Sequence, residues 1–332
     1  MKTNAVYDKV FILGSGFSKS FCPSLPTLKD LSASLPDKIS NEFPALKNYC
    51  EHFLKLCNGD RSYMDIETIA SAILSSSIFS SEAKRLSHLI LRFELLRFIS
   101  SRIQIQEKLP KKNISILENF LKWAANDSKS LYSKNLLLSF NYDLLLENVI
   151  QENPLLAAAM KIDYGLHIDS ADRKPEKTQN LKTIDLIKLH GSLDWFPLKG
   201  SDSELEIKNI CHVQKEDKSY PIYNEDTPVF IPMANSKESF LKGTLFNVLW
   251  AKADYYLKTA REIYCIGYGF PKSDINNLEF LLKHKSRIKK VVVFENENHP
   301  DILRIRHLFK DNVVENADAK IFLEQFLNKN KK

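Results

Sequence analysis

The chain has 332 residues, of which 44% are hydrophobic and 27% are charged, and its formal net charge is +6. This composition is that of an ordinary globular protein, and it excludes disordered and fibrous chains. At roughly 150 residues per domain, the length suits one large α/β domain or a core domain with a sizeable insertion.

The cysteines and the length of the apolar runs indicate in which cellular compartment the protein is expected. The five cysteines include no CxxC pair, and their odd number argues against a disulfide framework. No apolar stretch is long enough for a signal peptide or a membrane span, so we expect a cytoplasmic protein without membrane contact. The basic residues are mostly scattered, and we expect a solvated surface rather than a direct nucleic-acid site.

Short apolar runs recur along the chain, and each ends in a polar or glycine-containing turn. The runs are Val10–Leu13, Leu136–Leu138, Ile184–Leu189, Val229–Ile231, Glu262–Ile266 and Val291–Phe294. Continuous apolar runs of this length are typical of parallel strands covered on both faces. Helical patterns lie between them, and this alternation predicts an α/β fold with a Rossmann-like, doubly wound, mainly parallel sheet.

Between residues 36 and 127 the pattern becomes helical, because no strand-like run occurs there. Three apolar stripes have helical spacing: Ile66, Ile69, Ile73 and Leu74; Leu86, Leu89, Ile90 and Phe93; and Ile114, Leu117, Leu121 and Ala124. We therefore predict a catalytic domain made of residues 1–35 and 128–325, with residues 36–127 inserted as a helical module. Residues 169–179 and 199–226 are polar and predict loops, of which the second is long enough for a lid or a small β excursion.

Four strand ends carry the residues that could perform chemistry. The chain has nine glycines, and five of them follow predicted strands, where glycine lets backbone approach a ligand closely. The candidate residues in chain order are Gly14, Ser15, Gly16, Phe17 and Ser18 after the first strand, Asn141 and Asp143 after the second, His190 and Gly191 after the third, and Gly267, Tyr268 and Gly269 after the fourth. Beyond the Val291 strand, one of four polar residues could bind a ribose hydroxyl: Glu295, Asn296, Glu297 or Asn298.

Each of these motifs also has a structural interpretation when taken alone. The first loop lacks the third glycine of the dinucleotide fingerprint, since position 19 is Lys19, and a tight turn without a ligand is equally compatible. Asn141 and Asp143 could cap a helix. A lone histidine such as His190 is more often structural than catalytic, although imidazole titrates near neutrality and suits a general base.

The order of the motifs resembles the sirtuin-like family, and especially its bacterial branch of NAD⁺-consuming proteins. The resemblance covers most of the chain outside the helical segment. Gly14-Ser15-Gly16-Phe17-Ser18 resembles the family's G-A-G-x-S loop, and Ser139-Phe140-Asn141-Tyr142-Asp143 resembles its T-Q-N-I-D motif. His190-Gly191 matches the catalytic His-Gly, and the stretches KLHGSLDW and IGYGFPKSD are similar to the bacterial group.

The resemblance implies NAD⁺ as substrate and cleavage of its nicotinamide–ribose bond. Asn141 would then orient the ribose or the attacking water, Asp143 would support the nicotinamide pocket, and His190 would act as the base. The loop glycines and their neighbours would bind the dinucleotide. The bacterial relatives deplete NAD⁺ in anti-phage defence, which implies the same role here, with an activating protein or nucleotide partner and a homo-oligomer.

Two departures from the family pattern favour hydrolysis over deacylation. Protein-deacylating sirtuins carry two CxxC pairs that bind zinc, and this sequence has none, so we expect no metal. They also continue the first loop with G-I-P-D-F-R, where this chain has Ser24-Leu25-Pro26-Thr27-Leu28. An NAD⁺-dependent deacylase, an ADP-ribosyltransferase and a non-catalytic sensor of NAD⁺ or ADP-ribose remain the alternatives.

Overall fold

The computed structural model describes the following parts of the chain: residues 7–35, 37–75, 82–105, 107–126, 134–166, 169–170, 181–197, 210–212, 228–232, 234, 244–270, 275–293, 300–314 and 318–330. The strands are β1 (Tyr7–Leu13), β2 (Lys134–Ser139), β3 (Met160–Asp163), β4 (Asp169–Ser170), β5 (Lys182–Lys188), β6 (Trp195–Pro197), β7 (Ile210–His212), β8 (Glu262–Ile266), β9 (Ile288–Val292) and β10 (Val313–Val314).

The helices alternate with these strands, as the sequence predicts. They are α1 (Ser15–Phe21), α2 (Leu28–Ser32), α3 (Pro44–Leu56), α4 (Ile66–Ser75), α5 (Glu82–Arg102), α6 (Lys111–Ala124), α7 (Leu145–Glu152), α8 (Pro154–Ala159), α9 (Thr244–Thr259), α10 (Ile275–Leu282), α11 (Pro300–Phe309) and α12 (Ala319–Lys329). Among the described residues, none of the helices is both long and apolar enough to cross a bilayer.

The main sheet has seven strands in the order β10-β9-β8-β1-β2-β5-β3, and every neighbouring pair is parallel. This confirms the predicted α/β fold with a doubly wound parallel sheet. A second sheet contains β4, β7 and β6. Part of the polar segment 199–226 thus forms β7, which pairs with β6.

Aromatic side chains hold the helices against the central strand. Phe11 of β1 is fully buried, and its ring lies 5.1 Å from Phe120 of α6 and 5.1 Å from Phe326 of α12. Helix α9 packs against β1 and β5. Helix α6 lies within the predicted helical module yet packs against β2, α7 and α12. The division of the chain into two domains remains a prediction.

The first and third apolar stripes of residues 36–127 face the core, whereas the second lies on a helix, as predicted, but is partly exposed. On α5, Leu89 and Ile90 are 58% and 47% exposed, whereas Leu95, Phe98 and Ile99 are completely buried. The completely buried residues of α5 thus lie C-terminal to the apolar stripe, and both α3 and α4 pack against this helix.

Two strand predictions also need correction. Val229–Ile231 is not a strand of the main sheet. Its central residue, Phe230, forms an isolated antiparallel bridge with Gly191. The run predicted as Val291–Phe294 is β9, which begins at Ile288 and ends at Val292. Strands β3 and β10, which extend the sheet at its two edges, had no counterpart among the predicted runs.

Candidate active site

The strand order places a crevice at the carboxyl ends of β1 and β8. After β1 the chain forms β2, β3 and β5 on one side of that strand, and it then crosses to form β8, β9 and β10 on the other. In open parallel sheets, such a reversal leaves a cleft at the carboxyl ends of the strands, where ligands bind. The motifs predicted at the ends of β1, β2, β5 and β8 therefore share this edge.

The turns after β1 and β8 pack directly against each other. Gly267 has φ +65°, and a Cβ atom there would lie 2.0 Å from the backbone nitrogen of Phe17. A Cβ atom on Gly14 would lie 2.5 Å from the Gly267 carbonyl oxygen. Glycine is required at these positions by the approach of backbone to backbone, whether or not a ligand is bound.

This contact uses N–H groups that were predicted to cradle a pyrophosphate. The Gly16 N–H donates to the Gly267 carbonyl at 2.9 Å, and the Phe17 N–H donates to the Gly14 carbonyl at 2.9 Å. A side chain at Gly16 would meet the Gly267 carbonyl oxygen at 2.9 Å. A valine there would thus strain the two turns themselves, so loss of NAD⁺ affinity in that variant would not by itself locate a phosphate. The role of this loop in dinucleotide binding remains a prediction.

The rest of the first loop divides between the core and the cleft. Phe17 is 1% exposed and packs against Phe21 and Phe120, so its side chain belongs to the core. Ser15 is partly exposed at the start of α1. Ser18 is buried, and its hydroxyl accepts a hydrogen bond from Asn141.

Asn141 follows β2 and is anchored by its amide nitrogen. Nδ2 donates to the Gly14 carbonyl and to Ser18 Oγ, both at 2.9 Å. A carbonyl can only accept a hydrogen bond, so this contact fixes which end of the amide is nitrogen. No described residue donates to Oδ1, and the side chain is only partly buried. Asn141 therefore presents a free carbonyl oxygen at the strand edge.

Asp143 lies two residues further on and has a local structural role. Its Oδ1 accepts the backbone N–H of Leu145 at 3.1 Å, at the beginning of α7. The N-cap residue of α7 is Leu144, so Asp143 stands one position before the cap and the capping interpretation is not confirmed. Asp143 also contributes to a small pocket, whose lining consists of Leu13, Phe17, Ser18, Ser139, Asn141, Asp143, Leu146, Glu147, Leu186 and Lys188. The hydrogen bond from Leu145 and the pocket lining are compatible, because only one carboxylate oxygen of Asp143 accepts that bond.

His190 follows β5 and is buried among aromatic rings. It is 6% exposed, and its ring centroid lies 5.2 Å from that of Phe140 and 6.1 Å from that of Trp250. Nε2 lies 3.4 Å from the Nδ2 atom of Asn277 on α10. Where this amide donates, Nε2 accepts and the neutral imidazole carries its proton on Nδ1.

Asn141 and His190 belong to neighbouring strand ends. Ser139 and Lys188 are register partners at the ends of β2 and β5. Asn141 lies two residues after Ser139, and His190 lies two residues after Lys188. The Leu189 N–H donates to the Ser139 carbonyl at 2.9 Å. The sheet thus holds the two turns together.

Backbone packing explains why position 191 is a glycine. Its φ is +86°, and a Cβ atom there would lie 2.3 Å from the Val229 carbonyl oxygen. The Ser192 N–H also donates to this carbonyl at 3.2 Å. Gly191 allows the segment around Phe230 to pass close behind His190, and a contact with cofactor remains a prediction for it.

The turn after β8 covers the aromatic cluster. Tyr268 stacks on Phe140 with ring centroids 4.8 Å apart. Gly269 is exposed, and nothing lies within 4 Å of a Cβ atom built on it. Glu295 and Asn296, predicted as candidates for ribose binding, lie outside the described residues.

Sequence reasoning missed four residues that support the predicted ones: the buried Glu147, Lys188 and Asn277, and the half-buried Trp250. The Lys188 ammonium contacts Glu147 and the turn after Asn141. The Trp250 indole N–H donates to the Leu189 carbonyl at 3.1 Å. A signal existed for Lys188 alone, because a lysine inside an otherwise apolar run must find a buried partner. Among the described side chains, no group of three His, Cys, Asp or Glu residues could hold a metal ion.

Comparisons with known proteins give structural neighbours only. No family model matches the chain, and no curated protein matches its sequence. A crystal structure of a Sir2 homolog–NAD complex is similar over 97% of this chain and 88% of that chain, with 13% identity and a TM-score of 0.45. A Sir2 homologue mutant–ADP ribose complex has 14% identity and a TM-score of 0.43 over 97% and 91% of the two chains.

A structure of Sir2 bound to acetylated peptide gives 12% identity and a TM-score of 0.40, over 97% of this chain and 92% of that one. At such identities the likeness concerns the course of the backbone alone. By its own topology, the chain is an α/β protein with a doubly wound parallel sheet and with its candidate site at the carboxyl edge of that sheet.

Proposed function

We propose that this protein hydrolyses NAD⁺ at the bond between nicotinamide and ribose. The observation that carries the proposal is the position of Asn141. Its amide nitrogen is anchored to the Gly14 carbonyl and to Ser18, while no described residue donates to its Oδ1 atom. The motif order that resembles NAD⁺-consuming sirtuin-like proteins gives this geometry its chemical interpretation.

The reaction requires little covalent help from the protein. The C1′–N bond breaks, and its electron pair stays with nicotinamide, which leaves as a neutral molecule. Positive charge develops on the ribose, as in other glycoside cleavages. Preorganised dipoles aimed at such charge lower the barrier, because they need no reorganisation during the reaction.

Asn141 and His190 supply complementary groups. The Oδ1 atom of Asn141 carries partial negative charge, and it can accept a hydrogen bond from a ribose hydroxyl or from the attacking water. His190 takes a proton from this water on Nε2 as the oxygen attacks C1′, once the Asn277 amide has given up its contact with that nitrogen, so that ADP-ribose and nicotinamide are the products. If a ribose or adenine group attacks instead of water, the product is cyclic ADP-ribose.

The surroundings of His190 fit a step that excludes bulk water. Phe140, Tyr142 and Trp250 place their rings within 6.3 Å of the imidazole, and the side chain is 6% exposed. Electrostatic interactions are stronger in such a water-poor site.

The biological role that we propose for this protein is the depletion of NAD⁺ in the cytoplasm during phage infection. A partner or self-assembly would trigger the reaction.

The experiment is incubation of the protein with NAD⁺ at several protein concentrations, with chromatography of the products. We expect nicotinamide together with ADP-ribose or its cyclic form, without any acylated peptide and without added zinc. The same assay with an acetyl-lysine peptide, together with metal analysis of the purified protein, separates the alternatives. Turnover that depends on the peptide, or stoichiometric zinc, would replace hydrolysis by deacylation.

A further inference from the structure

Lys188 is a completely buried cation at the end of β5. Its side chain is 2% exposed, although lysine is rarely buried unless it is paired. The ammonium group donates at 2.7 Å to the Asp143 carbonyl, at 3.3 Å to the Tyr142 carbonyl and at 3.0 Å to Glu147 Oε1. An ammonium has three N–H groups. These contacts therefore use its full donor capacity.

Two of these acceptors belong to the turn that follows Asn141. The Tyr142 carbonyl also accepts the Leu193 N–H at 3.1 Å, from the segment that follows His190. At the start of the turn, the Asn141 N–H donates to Ser139 Oγ at 3.0 Å. The backbone that presents Asn141 is consequently held by β5 and by the segment after it, with Lys188 supplying two hydrogen bonds.

A buried ion pair of this kind is a poor way to gain stability. The cost of removing both charges from water commonly equals or exceeds their attraction, and apolar pairs of similar volume are often as stable. Burial raises the pKa of the Glu147 carboxyl, while the Lys188 ammonium lowers it and Asp194 raises it. An apolar pair, however, could not donate hydrogen bonds to the Tyr142 and Asp143 carbonyls.

We infer that Lys188 is a positioning residue for the reaction proposed above, because its hydrogen bonds to the Tyr142 and Asp143 carbonyls hold the turn that presents Asn141 Oδ1. This inference rests on the proposed function. Lys188 itself does not contact the substrate, and it acts through the backbone of the turn. The role of Glu147 is to balance its charge.

The test separates positioning from stability with the double variant Lys188→Met/Glu147→Gln. This variant removes both charges together, so it avoids an unpaired buried ion. We expect a folded protein whose kcat for nicotinamide release falls about 10- to 100-fold, because small displacements of a reacting group cost rate, while KM changes little. Lys182→Met, at the exposed start of the same strand, is the control and should leave kcat unchanged.

Glu147→Gln alone gives the complementary result. It leaves the buried Lys188 ammonium without a counter-ion, which lowers stability, but it keeps an acceptor and both carbonyl contacts, so kcat of the folded variant should stay within about threefold of the wild type. A folded double variant with wild-type kcat would overturn the inference. So would a folded Glu147→Gln variant that loses as much kcat as the double variant. If the double variant does not fold, the outcome for Glu147→Gln still decides between the carbonyl contacts and the charge pair.

A second measurement does not depend on catalysis. Amide hydrogen exchange of residues 139–145 should accelerate in the double variant, because this turn loses two of its hydrogen bonds, while exchange in β1 and β8 should stay unchanged. If the wild-type protein releases no nicotinamide, the proposed function fails. The exchange measurement then still decides whether Lys188 holds the turn, and unchanged exchange would contradict that role.

Discussion

Two ionisable residues of β5, the half-buried Asp185 and the buried Lys188, have different kinds of partners. Asp185 accepts a hydrogen bond from the Tyr7 hydroxyl at 2.8 Å and one from Asn126 Nδ2 at 3.4 Å, and both donors are neutral. Among the described residues, no cation forms an ion pair with it. Burial raises the pKa of Asp185 to about 6, and the hydrogen bond from Tyr7 opposes this rise.

Lys188, three residues later, forms an ion pair with Glu147 at 3.0 Å. The difference coincides with position in the sheet. Lys188 lies at the carboxyl edge, next to the turn that carries Asn141, whereas Asp185 lies in mid-strand, away from that turn. The comparison teaches that the buried ion pair of β5 lies beside the candidate site, whereas the half-buried carboxyl in mid-strand is met by neutral donors and has a raised pKa.

The largest effect that we expect at the carboxyl edge concerns its backbone packing. Gly267→Ala should lower the free energy of unfolding by more than about 3 kcal/mol or prevent folding, because the new Cβ atom meets backbone and the positive φ is strained. Gly269→Ala is the matched control, since nothing lies within 4 Å of a Cβ atom there. Chemical denaturation measures both. Equal stability of the two variants would contradict the close packing of the β1 and β8 turns.

The second prediction concerns the charge of Asp185. The folded-state pKa of about 6 lies above the ordinary value of 3.8, so folding favours the protonated carboxyl. Its contribution to stability is complete below about pH 4 and is lost as the pH rises to about 6. Asp185→Asn should remove this pH dependence and stabilise the protein at pH 7 by about 1 to 2 kcal/mol.

Denaturation curves for Asp185→Asn and the wild type at several pH values between 4 and 7 test this sign. If the variant were less stable than the wild type at pH 7, the ionised carboxylate would be a favourable group. The contrast with Lys188 would then disappear.

The smallest expected effect is that of Tyr7→Phe. This change keeps the edge-to-face contact with Tyr256 but removes the hydroxyl that donates to Asp185. We expect a loss of about 1 kcal/mol in the free energy of unfolding, and a further rise in the pKa of Asp185. In an Asp185→Asn background the cost should be smaller, because a hydrogen bond to a neutral amide is weaker. An equal cost in both backgrounds would show that the carboxyl does not use this donor.

The fold was largely predictable because its signals are local. The apolar runs that form β1, β2, β5 and β8 are long and are followed by turns. The run and the turn after it therefore both indicate a strand. β3 was not predictable in the same way, since Met160–Asp163 follows directly on the helix-forming segment Pro154–Ala159. β10 has only two residues, and a strand of that length has no periodicity.

The site was predictable only in part. Strand ends could be found from the sequence, and the described candidates do lie at one edge of the sheet. The contact between Gly16 and Gly267, which occupies an N–H group of the first turn, depends on two segments 251 positions apart. Local patterns carry no information about such pairs. The position of Asn277 against His190 was hidden for the same reason.

Nicotinamide release from NAD⁺ by matched variants tests the central claim most directly. Asn141→Ala and His190→Ala are compared with Asn148→Ala and His52→Ala, which lie outside the site on α7 and α3. We predict that the first two fold but lose at least about 100-fold in turnover, and that the controls keep wild-type rates. Full turnover in a preparation of either Asn141→Ala or His190→Ala would contradict the assignment of this strand edge as the catalytic site.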